Sequence, residues 1–307
     1  MNTNGKKVLV RVDFNVPIRD GQVTDDTRIR KALPTINQLI EQDAAVILMS
    51  HLGRPQKKRL PDGSIDVASL TLKPVADHLA TLVTVPVHFV PDCTGYEVQK
   101  AAAALRPGEI LVLENTRFYK EEEAGDEEFA RQLADLADVY INDAFGTAHR
   151  AHASTTIVAE YFDAAHKGFG LLMEAELANA EQVLHHAKRP LVAILGGAKV
   201  SDKIGLLTRL MDLADEILVG GAMAFTFIKA QGGEVGNSLV EEDKLDIARD
   251  IIKKASHHRV GLHLPVDAII ADAFEAGATT RSCPIDEIPQ DWMGLDIGSD
   301  SVRRFKE

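Results

Sequence analysis

Residues 7–17 read KVLVRVDFNVP and residues 45–55 read AVILMSHLGRP. Each is a short β-branched run that stops on polar side chains and a proline. A run apolar at both odd and even positions suits a strand buried on both faces, as in a parallel sheet. Outward from these two, residues 8–12, 45–49, 87–90, 110–113 and 139–141 read as strands. Between them, residues 27–42, 71–82, 97–105 and 126–136 carry apolar side chains at three- and four-residue spacing and read as helices. Such alternation predicts βαβ units and an open sheet covered on both faces.

A second series follows a long helical stretch over residues 171–187, which Arg189-Pro190 brings to an end. Strands are expected at 191–195, 216–219 and 260–264, and helices at 201–213, 222–230 and 242–255. The expected fold is α/β: two Rossmann-like three-layer domains with parallel sheets joined by a helix, the second incomplete. The boundary is placed near residues 155–170. The division is an N-terminal domain over 1–160, a linker and helix over 161–187, and a C-terminal domain over 188–307. From Cys283 onward Pro284, Pro289 and Gly294 suggest loop, closing on a charged helical fragment.

Composition narrows the function. A net charge of −12 disfavours nucleic acid or an anionic membrane as the main partner, since both reward a basic face. Cys93 and Cys283 lie far apart without metal spacing, so neither a disulfide framework nor a zinc site is indicated and a reducing cytosol fits. Residues 1–7 are polar, and the longest apolar runs, 44–49 and 191–195, are too short to span a bilayer. A cytoplasmic location is expected.

In open α/β sheets, ligands bind beyond the carboxyl ends of the strands. The first strand delivers Asp13 and Asn15, with Arg28 a little beyond in DDTRIR. The second delivers His51 and Arg54, a later one Asn115 and Arg117, and the last Asn142, Asp143, His149 and Arg150. One arginine after a strand is usually a solvated loop residue. Basic groups from four strands at one edge need carboxylate partners or a bound anion. Arginine's planar fork suits phosphate or carboxylate, and Asp13 with Asn15 can hold a hydroxyl. His149 and His152, three apart, could suit a metal elsewhere, but Arg150 between them and the cationic surroundings disfavour a cation.

The second half carries LVAILGGAKVSDKIGLL over residues 191–207: strand, glycine turn, helix. Gly196 and Gly197 let a ligand approach the backbone, and Lys199 and Lys203, four apart, are expected on one helix face beside the turn. Phosphate binding is the expected use. The motif is neither GxxxxGK[ST] nor GxGxxG, which also argues against a nicotinamide-dependent oxidoreductase. A second turn, EILVGGAMAFTF over 216–227, brings Gly220 and Gly221 to the same edge, where phosphate binding and close helix-to-sheet packing are both open readings. The acidic run over 120–128 reads as a solvated helix start without chemistry.

Taken together, RVDFNVP, SHLGRP, LENTRF, NDAFGTAHRAH, AILGGAKVSDK and GGAMAFTF resemble the phosphoglycerate kinases, bacterial type, in the family's order; WMGLDIG near the end looks like a further family segment. The resemblance runs over residues 6–298. It implies an N-terminal domain for 3-phosphoglycerate, with Asp13, Asn15, Arg28, His51, Arg54, Arg117 and Arg150 as its contacts. It implies a C-terminal domain for Mg2+ with ATP/ADP, with Lys199 and Lys203 on the nucleotide phosphates and Gly294 as a looser match; the reading of the turns adds Gly196, Gly197, Gly220 and Gly221 to the expected nucleotide site. Arg28 and Lys199 are the expected catalytic pair, reaching the transferring phosphoryl group from opposite domains. A small-molecule kinase acting as a monomer is implied. The family's WNGPMGVFE and GGGD segments, associated with the adenosine pocket and magnesium, do not occur in these 307 residues. A truncated chain is therefore expected, with no protein metal ligand. The alternative is a catalytically incompetent fragment that keeps 3-phosphoglycerate binding.

Overall fold

The computed structural model describes residues 1–57 and 59–307. The chain forms two compact units, Met1–Glu181 and Gln182–Glu307.

Besides a short antiparallel hairpin of Ile18–Arg19 with Gln22–Val23, the strands of the first unit are β1 (Lys7–Arg11), β2 (Ala45–Met49), β3 (Val87–Phe89), β4 (Ile110–Val112), β5 (Val139–Asn142) and β6 (Lys167–Phe169). These six form one sheet in the order β3-β4-β2-β1-β5-β6, parallel throughout. The helices are α1 (Thr27–Glu41), α2 (Lys73–Leu82), α3 (Tyr96–Ala104), α4 (Lys120–Ala124), α5 (Glu127–Ala134) and α6 (Leu171–His185), the last running across the boundary between the units. Alternate strand residues feed two cores. Val8, Val10, Val46 and Leu48 pack on α1 and α2 through Ile29, Ile36, Val75 and Leu79. Leu9, Ile47, Met49 and Tyr140 pack on α3 and α5 through Val98, Phe129 and Leu133. The near-continuous apolar strands thus follow from burial on both faces.

Three sequence expectations change here. Residues 167–169, inside the expected boundary and linker, add a strand to the first sheet by pairing with β5; three residues with a central glycine are too few to show a period. The helix expected over 71–82 is α2, which starts at Lys73 with Pro74 as its second residue, and a separate one-turn helix at Val67–Leu70, not foreseen, precedes it. Glu122, inside the acidic run read as solvated, is fully buried.

In the second unit β7 (Val192–Leu195), β8 (Glu216–Val219) and β9 (Gly261–His263) make a parallel sheet in the order β9-β8-β7. It packs on α7 (Ile204–Leu210), α8 (Met223–Ala230) and α9 (Leu245–His258) through Leu195, Ile217, Leu207, Phe227 and Ile251. A second sheet is antiparallel: β10 (Asp267–Ala271) lies between β11 (Thr280–Pro284) and β12 (Met293–Ile297). Helix α10 (Ser299–Lys306) follows, its first turn capped by Asp267, which accepts from the Asp300 and Ser301 amides. The region read as loop from Cys283 is therefore mostly strand. Residues 280–282 of β11 and Pro284 are exposed, so no apolar alternation marks the strand.

Candidate functional site

The carboxyl ends of β1, β2, β4 and β5, with the start of α1, enclose a cavity of about 260 Å³. Its lining holds Asp13, Asn15, Arg28, His51, Arg54, Arg117 and Arg150, together with Gly53, Gly146 and Thr147. All seven residues named for the first domain are thus brought together, five arginine or histidine side chains among them.

Each is held by a local device. Arg28 Nη1 donates to Asp13 Oδ2 at 2.7 Å, with its side chain half exposed. Asn15 Oδ1 accepts the Gly53 amide at 2.9 Å and ties the first strand's loop to the second's. Gly53 sits at φ 62°, a conformation that suits glycine. Arg117 is buried, donating from Nη1 to the Gly53 carbonyl at 3.0 Å, with Glu123 Oε1 3.4 Å from its Nε. Asn115 clamps the neighbouring loop: its Oδ1 accepts from the Leu52 amide and its Nδ2 donates to the Leu52 and Leu70 carbonyls. Arg150 Nε donates to His149 Nε2 at 3.2 Å.

The other polar residues at the end of β5 support the backbone. Asn142 Oδ1 accepts the Ala144 amide. Asp143, fully buried, accepts the Met173 amide at 3.1 Å at the start of α6, where Thr35 Oγ1 on α1 also accepts the Leu171 amide. Burial raises the Asp143 carboxyl above its usual range, against the lowering effect of hydrogen bonds from the Thr35 side chain and the Met173 and Leu172 backbone.

Sequence reasoning missed the charges beneath this cavity. Arg11 and Glu122 are fully buried. Arg11 Nε donates to Ser154 Oγ at 2.8 Å, and Ser154 Oγ donates to Glu122 Oε1 at 2.6 Å. Arg11 Nη2 lies 3.1 Å from His51 Nδ1. Burial, followed by the fields of Arg11, Arg117, Arg150 and Arg28, pushes the His51 pKa down to about 2. The one available signal was Arg11 itself, a lone charge within the apolar run KVLVRV.

In the second unit the two glycine turns pack against each other. The Gly220 amide donates to the Leu195 carbonyl at 2.7 Å, and the Met223 amide to the Gly197 carbonyl at 2.9 Å. Gly221 has φ 66°, and a Cβ there would lie 2.8 Å from the Gly197 nitrogen. Close approach therefore explains Gly221 by itself. Gly221→Ala should cost about 1–3 kcal/mol through the strained conformation and the backbone contact. A urea melt with an unmoved midpoint would contradict this packing.

Lys199 and Lys203 do not share a helix face, because α7 begins only at Ile204 and both lysines precede it. The intervening Ser201 is instead drawn to Glu241, donating from N at 3.0 Å and from Oγ at 2.5 Å. Lys199 is exposed, and Lys203 Cε lies 3.7 Å from where a Gly197 Cβ would be. Gly196 and Gly197 are exposed beside them. Gly294 lies in β12, where a Cβ would fall 2.0 Å from the Phe225 ring, so its lack of a side chain is explained by packing. Phe225 and Gly221 nonetheless border one small space with Leu295 and Asp296.

The phosphoglycerate kinase family model matches residues 1–307. The chain belongs to the phosphoglycerate kinase family. It is 53% identical over 303 residues to the phosphoglycerate kinase of Chloroherpeton thalassium, covering 99% of this chain and 74% of that one. It is 53% identical over 306 residues to that of Roseiflexus castenholzii, covering 99% of this chain and 75% of the relative. Among solved structures, the phosphoglycerate kinase of Coxiella burnetii superposes with a TM-score of 0.79 at 38% identity, covering 99% of this chain and 74% of that one. That of Pyrococcus horikoshii OT3 superposes with 0.83 at 26% identity, covering 100% and 76%. The chain thus spans about three quarters of the length of these phosphoglycerate kinases.

Proposed function

We infer that this chain carries out the family's reaction, reversible phosphoryl transfer from 1,3-bisphosphoglycerate to ADP, giving 3-phosphoglycerate and ATP in glycolysis. The supporting observation is the cavity of the first unit, where Arg28, His51, Arg54, Arg117 and Arg150 meet Asp13 and Asn15. Four arginines and the His51 ring match a ligand bearing a phosphate and a carboxylate, while Asp13 and Asn15 are available to its hydroxyl. In the second unit, Gly196, Gly197, Lys199 and Lys203 are assigned to the nucleotide phosphates. Gly220, Gly221 and Gly294 shape the backbone around them.

The chemistry needs little from the protein besides charge and position. The attacking carboxylate is already ionised at neutral pH, so no general base is required. Arg28 and Lys199 are assigned to the charge on the transferring phosphoryl oxygens. Magnesium accompanies the nucleotide in this reading. Among the described residues no group of three or more His, Cys, Asp or Glu side chains is arranged to hold a metal. Magnesium bound with a nucleotide usually takes one or two carboxylates plus the phosphates, and no step is assigned to it.

We further read the protein as a cytoplasmic monomer. Its two cysteines are unpaired, and among the described residues no helix is long and apolar enough to cross a membrane.

Calorimetry tests the glycerate site directly. The 307-residue chain should bind 3-phosphoglycerate, and Arg117→Ala should weaken it about 10- to 100-fold, as expected for hydrogen bonds to a charged ligand. Equal affinity in the variant, or no binding by the parent chain, would sink the assignment of this cavity.

A further inference from the structure

We propose that Arg11 is a positioning residue that fixes His51 as the neutral imidazole with its proton on Nε2, so that the cavity offers its anion a hydrogen-bond donor there and not a titrating cation. The inference rests on the reading of this cavity as the 3-phosphoglycerate site. Its structural half stands without any ligand.

A guanidinium has donors only. The His51 nitrogen facing Arg11 Nη2 at 3.1 Å must therefore accept, which leaves Nδ1 with its lone pair and puts the ring proton on Nε2. With Nδ1 engaged, Nε2 is the ring nitrogen left to address a ligand in the cavity that His51 lines. Protonating Nδ1 would set two donors and two positive charges against each other in a site where His51 is only 4% exposed.

Arg11 cannot turn away easily. Its Nη1 donates to the Val12 carbonyl at 2.5 Å and its Nε to Ser154 Oγ at 2.8 Å. Ser154 is held by Glu122, which accepts from Ser154 Oγ at 2.6 Å and from its amide at 2.9 Å. Tyr140 on β5 adds a further clamp, its hydroxyl donating to the Thr155 carbonyl at 2.9 Å.

The charged groups around His51 act in the same sense. Arg11 from β1, Arg28 from α1, Arg117 from the segment after β4 and Arg150 from the loop after β5 all oppose a positive ring. Arg54 lines the same cavity. The cavity's carboxylate, Asp13, is paired with Arg28, and Glu122 is committed to Ser154. The low pKa that burial and these arginines impose agrees with a ring that stays neutral throughout the physiological range.

Histidine ring ¹⁵N NMR on the ligand-free chain tests this, with His51→Gln used to assign the resonance. The expected result is one proton-bearing Nε2 and one lone-pair Nδ1, unchanged between about pH 5 and 8. A His51 ring protonated on Nδ1, or titrating in that range, would overturn the proposal. The variant is Arg11→Met combined with Glu122→Gln, which removes the guanidinium without stranding a buried carboxylate. In it the two ring nitrogens should show averaged shifts, and 3-phosphoglycerate should bind about tenfold more weakly. A folded variant with the parent ring pattern would also overturn the fixing role. Averaged shifts with undiminished affinity would overturn the recognition role. Should the double variant not fold, the parent spectrum alone decides between the fixed and the titrating ring. Absence of 3-phosphoglycerate binding by the parent chain would strike the assigned substrate while leaving the ring result intact.

Discussion

Replacing Arg28 by alanine should lower the rate of phosphoryl transfer between ATP and 3-phosphoglycerate by about 10³-fold, the scale expected when a cation is removed from a phosphoryl-transfer transition state. The fold should hardly register the change. The Arg28 side chain is 52% exposed, and its bond to Asp13 is a partly solvated ion pair, a class worth about 0–1 kcal/mol. That separation of rate from stability makes the result informative. Steady-state kinetics and a thermal melt on the same preparation should show a collapsed turnover and a nearly unmoved transition. Retention of the parent rate would remove Arg28 from the chemistry. A fall in both together would turn it into a structural residue. Arg28→Lys sharpens the point, because an ammonium keeps the charge but loses the planar fork, and partial recovery is the expected outcome.

Glu122→Ala should do the opposite, acting first on stability. It leaves the fully buried Arg11 guanidinium without the carboxylate that reaches it through Ser154. Breaking such a buried arrangement by removing one partner costs about 3–5 kcal/mol, a large share of a domain's net stability. The loop over residues 150–155 should loosen as well, since Glu122 also accepts the Ser154 amide and its own carbonyl accepts the Ala153 amide. Denaturant unfolding followed in the first unit gives the measurement. Glu123→Ala is the matched comparison: Glu123, next in the same acidic run, is 37% exposed at the side chain, and loss of its partly solvated pair with Arg117 should cost about 1 kcal/mol. Equal costs for the two substitutions would contradict the buried network.

The contrast between Glu122 and Glu123 also shows where sequence reading reaches its limit. Strand-end groups such as Asp13, His51 and Arg117 were legible because an open parallel sheet delivers them to one edge, and the edge is a geometric consequence of βαβ connections. Nothing local says that the middle glutamate of three faces inward. That depends on Ser154, 32 residues further on, being present to receive it. Arg11 was hidden for a related reason. A charge within a strand is read as an interruption unless its distant partners are already known.

In the second unit, the parallel strands were legible from their apolar runs, whereas β11 was not, because its side chains are largely solvated. The expected helix carrying Lys199 and Lys203 failed on a boundary. Ser201 spends its amide and hydroxyl on Glu241 and so belongs to a turn that delays the helix to Ile204. The glycines of the two turns were legible as special positions but not as to purpose, since Gly221 meets another backbone and Gly294 meets the Phe225 ring.

The strand order of the first unit carries a consequence for how the protein comes into being. Its first strand, β1, lies in the interior of the sheet between β2 and β5, and Lys7 donates its amide to Asp138, 131 residues later in the chain. During synthesis β1 and β2 can meet early, but the other side of β1 stays unpaired and apolar until β5 has emerged. Pairings across so long a stretch are entropically slow to form. A nascent first unit is therefore a holding state with an open, sticky flank, and the ribosome must deliver nearly half of these 307 residues before that flank can close.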